Sequence, residues 1–407
     1  MRTHAPIPFG TRDVRLDLFR GLANWAIFLD HIPHEVLSSF TTRNYGFSDA
    51  ADLFVFISGY TAAMVFGKVM IERGYLPAAL KLAWRAFQLY AAHVAVVAVY
   101  IAVIAWVSRV FHDPDDLNQF NVAVFISMPF REFIQTLALR YRPVNLDVLP
   151  LYILLLGTFA PALWMMIRHS WLAVMASMAV YFASRHFGWN LTASPSGIWY
   201  FNPFTWQLLF FLGAWIALGG AEAIQSVIRT RTVFWLAIAY LAFACVVTLA
   251  IQNPGLGSLL PHWMLSPFDP NDKTNLAPYR VVHLISLAIV VTRFLRLESP
   301  ILQWRPLAPL IVCGRNSLQV FCVGIVLSFC AHAAIERSLN ALVVQISVGA
   351  AGMLLMTAFA YCRTWSKARR ICFTGRTWRT CMTGSLALIW PVVTASFLAT
   401  LVESVKP

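Results

Sequence analysis

Charge is the first thing this sequence has little of. Asp, Glu, Lys and Arg make up 12% of the 407 residues, about half the ~25% of an ordinary soluble protein. That scarcity argues against a chain that folds alone in water. Cysteine chemistry is also thin: there are seven cysteines, an odd number with no CxxC pair, and Cys245, Cys322 and Cys330 lie inside apolar runs. They read as small buried hydrophobes. No disulfide framework or zinc motif is indicated, and no metal is expected. Internal repeats, low-complexity tracts and alternating strand patterns are missing too, so a β-barrel is disfavoured. The chain reads as one domain, 1–407.

What is present is apolar sequence: 59% of residues are hydrophobic, gathered in runs of about 17–25, each long enough to cross a hydrocarbon core of about 30 Å as a helix. Backbone groups in lipid must be satisfied internally, which leaves helices. The expectation is an all-α, polytopic integral membrane bundle of about ten or eleven helices. The spans fall near 16–33, 52–70, 84–108, 148–168, 171–187, 203–220, 232–252, 281–297, 307–331 and 340–362. A basic cytoplasmic segment, 363–383, precedes a weaker eleventh candidate at 384–402. The polar lead of 1–14 runs into an apolar stretch carrying Asp30 and His31 with no small-residue cleavage site, so this helix is expected to be retained.

The net charge of +13 raises the question of nucleic acid, but its placement answers otherwise. With alternating helices, Arg12 and Arg15, Lys68 and Arg73, Arg229 and Arg231, Arg293 and Arg296, and the basic run after 362 all fall on one side. That side is expected to be the cytoplasm. Two longer outer loops, about 109–147 and 253–280, have a length that is usually functional or disordered.

Ionisable groups inside spans are costly and need a reason. The first helix, RLDLFRGLANWAIFLDHIPHE, is the richest. Arg20 and His31 are eleven residues apart, about three turns, so they share one face about 16 Å apart along the axis. Asp17 shares that face, whereas Asp30 lies about 100° away. In the second helix, NYGFSDAADLFVFISGYTA brings Asp49 and Asp52 to the outer mouth, with Ser58 about six residues deeper, near the expected level of His31. At the inner end of the third helix, KLAWRAFQLY presents Lys81 and Arg85 on one face, a pair suited to a phosphate-bearing ligand. Each feature also has a plain structural reading. Arg20 can be a snorkelling anchor and His31 a packed histidine before Pro33. Ser58-Gly59 can be a small-residue helix contact, Asp49 a loop residue or helix cap, and the basic pair an anchor under the positive-inside rule.

Together, RLDLFRGL, the Arg20-to-His31 spacing, DAADLFVFISGYTA and the basic pair resemble the OpgC family. Its bacterial inner-membrane proteins are implicated in succinylating osmoregulated periplasmic glucans, and it is related to the membrane acyltransferase-3 superfamily. The closest resemblance covers about 12–90. It implies a multi-pass O-acyltransferase with a cytoplasmic N-terminus and no permanently bound cofactor. Acyl-CoA, most likely succinyl-CoA, would be the donor and a periplasmic glucan hydroxyl the acceptor. By the same resemblance Arg20 with His31, and Lys81 with Arg85, are functional motifs, which makes His31 the candidate catalytic base and Arg20, Lys81 and Arg85 the candidate donor contacts. The residues themselves add Ser58 as a second catalytic candidate, placed to position the acyl group or acceptor, and Asp30, Asp49, Asp52 and Tyr60 as candidate substrate contacts. Lys81 replaces the more usual arginine, which keeps the charge but loses the bidentate fork. Partners would be the donor, the glucan and the lipid bilayer, with no nucleic acid. Two alternatives stand beside this reading: acylation of another envelope polysaccharide, and transport or flipping of a polar solute or glycan, although paired half-repeats typical of transporters are missing.

Overall fold

A computed structural model of the chain describes residues 13–33, 35–296 and 298–374. The chain divides into two units, Met1–Tyr361 and Cys362–Pro407. All ten expected spans form helices: α1 Val14–Asp30, α2 Ala50–Arg73, α3 Tyr75–Phe111, α4 Val148–Arg168, α5 Ser170–Phe187, α6 Pro203–Trp215, α7 Arg231–Gln252, α8 Pro278–Phe294, α9 Ser317–Arg337 and α10 Leu342–Thr374. The eleventh candidate, 384–402, lies outside the described residues. Seven helical segments among the described residues are long and apolar enough to cross a membrane; α1, α5 and α8 do not meet that measure. The protein is an all-α, multi-pass helical bundle.

The differences from expectation have local causes. The ninth span is broken: Ala308–Arg315 precedes α9, and Asn316 between them leaves helical geometry at φ −115°. Its Nδ2 donates to the Val312 and Ala360 carbonyls at 3.1 and 3.2 Å, so the side chain satisfies acceptors at the break. The outer loop after α3 is built from three short helices, Asp115–Gln119, Ala123–Ser127 and Pro129–Leu137. Helix α3 is longer than expected, at 37 residues, and carries an exposed tryptophan toward each end. Trp84 and Trp106 are 60% and 55% exposed. They lie 22 residues apart, about 33 Å, the spacing of two interfacial aromatic belts.

Close backbone approach sets the crossings that position the site. Helix α2 packs most extensively on α6, and α1 on Ala308–Arg315. A Cβ at Gly59 would collide with the Phe210 carbonyl, one at Gly213 with the Phe56 carbonyl, and one at Gly314 with the Asp17 carbonyl. This is small-residue packing without a hydrophobic drive between helices. Gly59→Ala must therefore push α2 off α6. The expected cost is at the upper end of the roughly 1–3 kcal/mol typical of overpacking, because the obstacle is backbone. Thermal unfolding of the detergent-solubilised protein checks it; an unchanged midpoint would refute the crossing.

Candidate functional site

Helix α1 carries a polar stripe. Asp17, Arg20, Asn24 and His31 fall within about 60° of one another at 3.6 residues per turn. Near the inner end, Asp17 faces the Arg315 Nε at 3.6 Å, and Arg20 donates to the Thr61 hydroxyl of α2. Further out, Asn24 is 1% exposed, and both its amide Oδ1 and Nδ2 are buried without a hydrogen-bond partner among the described residues. At the outer end His31 caps α1, and its Nδ1 is likewise buried and unpartnered. Buried polar atoms without partners are uncommon and costly. Two such residues, Asn24 and His31, share this stripe.

Beside His31 lies a cluster of ion pairs, which we call the mouth. Asp49 caps α2 by accepting from the Ala51 N–H at 2.9 Å, and Asp52 reaches back to the Asp49 N–H at 2.9 Å. This reciprocal capping explains why the helix starts at Ala50. Arg280, from the first turn of α8, places Nη2 at 2.5 Å from Asp52 Oδ2 and 3.3 Å from Asp49 Oδ2. Its Nη1 donates to Asn271 Oδ1 at 3.0 Å. Lys273, from the preceding loop, pairs with Asp49 Oδ2 at 2.6 Å. Two cations thus balance two carboxylates, with Arg280 and Asp52 2% and 0% exposed. Burial pushes the Asp49 carboxyl up, but Lys273 and Arg280 more than reverse this and hold it below the usual carboxylate range. Burial pulls the Lys273 ammonium down, and Asp49 beside it lifts it above the ordinary lysine value.

His31 sits within the field of Lys273, Asp49 and Arg43. Lys273 also acts on Asp147 at the start of α4. Asp30 faces the same rim, accepting from the Thr41 hydroxyl at 2.7 Å. Nearby, Ser48 Oγ and His283 Nδ1 are 2.7 Å apart and buried. His31 and Asp30 both lie within the field of Asp49, whose N–H Asp52 in turn caps.

Ser58 and Tyr60 do not join them. Ser58 is buried in α2 within one turn of Thr61, which meets Arg20, and it lies nine residues, about 13 Å, below Asp49. Against the expectation that Ser58 stands level with His31, it lies deeper, within one turn of the Thr61 that Arg20 meets. Tyr60 feels the charges of Asp13 and Arg15 at the inner end, away from the mouth. Lys81 is exposed, and Arg85 is half-buried with its Nη1 donating to Gln88 Oε1 at 3.1 Å. Both flank the exposed Trp84 on α3. The residues that sequence reasoning missed are Asn24, Lys273 and Arg280. Asn24 lies seven residues before His31, a legible spacing; the other two sit in and after a loop with no local signature.

These features define a multi-pass helical membrane protein whose first helix carries a polar stripe that ends beside a cluster of charges. The chain belongs to the OpgC family: the family model described as OpgC protein matches residues 12–368, nearly the whole chain. Membership supports an acyltransferase. Neither a curated protein nor a solved structure gives a significant match.

Proposed function

We propose that this protein is an O-acyltransferase of the bacterial inner membrane, N-terminus in the cytoplasm, that moves succinyl from succinyl-CoA to hydroxyls of osmoregulated periplasmic glucans. The observation that carries the reading is the unpartnered Nδ1 of His31 at the mouth, one face of a helix away from Arg20. An acceptor hydroxyl is a weak nucleophile at neutral pH and needs a base within hydrogen-bond reach. His31 takes the hydroxyl proton as the glucan oxygen attacks the thioester carbonyl. The C–O bond forms and the C–S bond breaks. CoA leaves as the thiolate and recovers the proton from His31.

The donor enters from the other side. Lys81 and Arg85 hold the CoA phosphates at the inner interface, and Arg20 receives the arm further in. The pantetheine arm contains two amide groups, and the unpartnered amide of Asn24 is their chemical complement on the way to His31. Ser58, at that depth, lines the arm rather than meeting the acceptor. Asp30, Asp49 and Asp52 face the acceptor side, where carboxylates suit sugar hydroxyls. Tyr60, near the inner end, belongs to the donor side.

Mass spectrometry of periplasmic glucans from cells with and without the gene tests the reading. A succinyl increment that requires the gene and succinyl-CoA is the expected result. Glucans with no acyl increment, together with solute flux that needs no acyl-CoA, would replace it with transport. In membranes, Lys81→Ala with Arg85→Ala is expected to raise KM for the donor roughly 10- to 100-fold, the loss of one or two charge-assisted hydrogen bonds. Little change in kcat is expected. An unaltered KM would leave the pair as membrane anchors.

A further inference from the structure

The outer loop after α3 and the outer end of α9 meet at ligating side chains that acyl transfer does not use. Asp116 lies in the short helix Asp115–Gln119, and His332 and Glu336 lie one turn apart on α9. One ligand atom from each of the three falls within 4.8 Å of the other two, with His332 Nε2 and Glu336 Oε2 3.4 Å apart. Asp116 is 1% exposed. Its Oδ2 accepts from Arg337 Nη2 at 3.0 Å, but its Oδ1 is buried with no hydrogen-bond partner among the described residues. Asp113 stands 3.8 Å from the same guanidinium. Two carboxylates, Asp113 and Asp116, face the Arg337 guanidinium, and a third, Glu336, lies within 4.8 Å of Asp116, so the cluster has more carboxylate than cation. A carboxylate oxygen buried without a donor is costly, and a dication removes both the surplus and the orphan. Phe120 packs on the imidazole of His332 at 5.3 Å between ring centroids, which holds the ring in place.

No metal is legible in the sequence, because Asp116 is more than 200 positions from its partners. We propose that Asp116, His332 and Glu336 form a site for a divalent transition metal ion, with zinc the best chemical match. An imidazole among the ligands disfavours magnesium and calcium, which take oxygen. Histidine with two carboxylates is a ligand set zinc accepts, with bonds of about 2.0–2.2 Å. Glu336 is exposed and free to swing the remaining distance. The ion would tie the outer loop to α9, with water completing its shell.

The test uses the full chain in detergent, without a polyhistidine tag, stripped with a chelator and titrated with Zn2+ or Mg2+ by calorimetry. One Zn2+ per chain is expected, at least tenfold weaker in both His332→Ala and Glu336→Gln, with no Mg2+ binding. Zn2+ is also expected to raise the unfolding midpoint of the wild type but not of Glu336→Gln, whose exposed side chain is dispensable for folding and so decides the matter if His332→Ala fails to fold. Absence of Zn2+ binding, or binding that survives Glu336→Gln unchanged, overturns the site. Either outcome leaves the acyl-transfer reading untouched.

Discussion

His31→Ala is expected to remove glucan succinylation almost completely while the protein still folds and reaches the membrane. Loss of a positioned general base typically costs about 10²- to 10⁴-fold in rate, and the effect should fall on kcat. Folding is expected to suffer little. Nδ1 of His31 has no hydrogen-bond partner among the described residues, so truncation strands no donor or acceptor there, and the packing loss is of the order of 1 kcal/mol. His31→Gln separates base from hydrogen-bond partner: an amide can orient a hydroxyl but cannot take its proton at neutral pH. It is therefore expected to bind acceptor and fail in transfer. The comparison is a mass spectrum of periplasmic glucans at matched membrane levels of wild type and both variants. If the succinyl increment persists in His31→Ala, the base is another group and the stripe on α1 is reduced to a donor path.

The helices were legible because the apolar runs are long, and seven of the helical segments among the described residues are long and apolar enough to cross a membrane. The Arg20–His31 face was legible because helical spacing alone determines it. Depth across helices was not. The expected level of Ser58 relative to His31 assumed that the two helices meet at equal heights, whereas the contact of Arg20 with Thr61 sets the register and leaves Ser58 deeper. Pairing across long separations was also invisible. Arg280 and Asp52 are 228 positions apart, and a lysine such as Lys273 in a polar outer loop reads like any solvated charge until the fold seats it on Asp49. The break at Asn316 follows from a side chain competing for backbone acceptors, which hydropathy does not measure.

Arg280→Met is expected to be the most destabilising single change at the mouth. It leaves Asp52, 0% exposed, without its cation, and breaking a buried pair by removing one partner typically costs about 3–5 kcal/mol. Lys273 remains on Asp49 at 2.6 Å, so the uncompensated charge falls mainly on Asp52. Arg280→Met combined with Asp52→Asn should recover most of the loss. No unpaired buried charge is left, and the amide oxygen still accepts from the Asp49 N–H that caps α2. Thermal unfolding in detergent reads the first effect and glucan modification the second, and together they separate two roles for the cluster. If the charges only hold α8 to α2, the double variant regains both stability and succinylation. If they also present the mouth to the acceptor, as the position of His31 within the field of Lys273 and Asp49 argues, stability returns while KM for the glucan stays high. A double variant as unstable as Arg280→Met alone would mean that the guanidinium acts through Asn271 and the loop before α8, and not through its pair with Asp52.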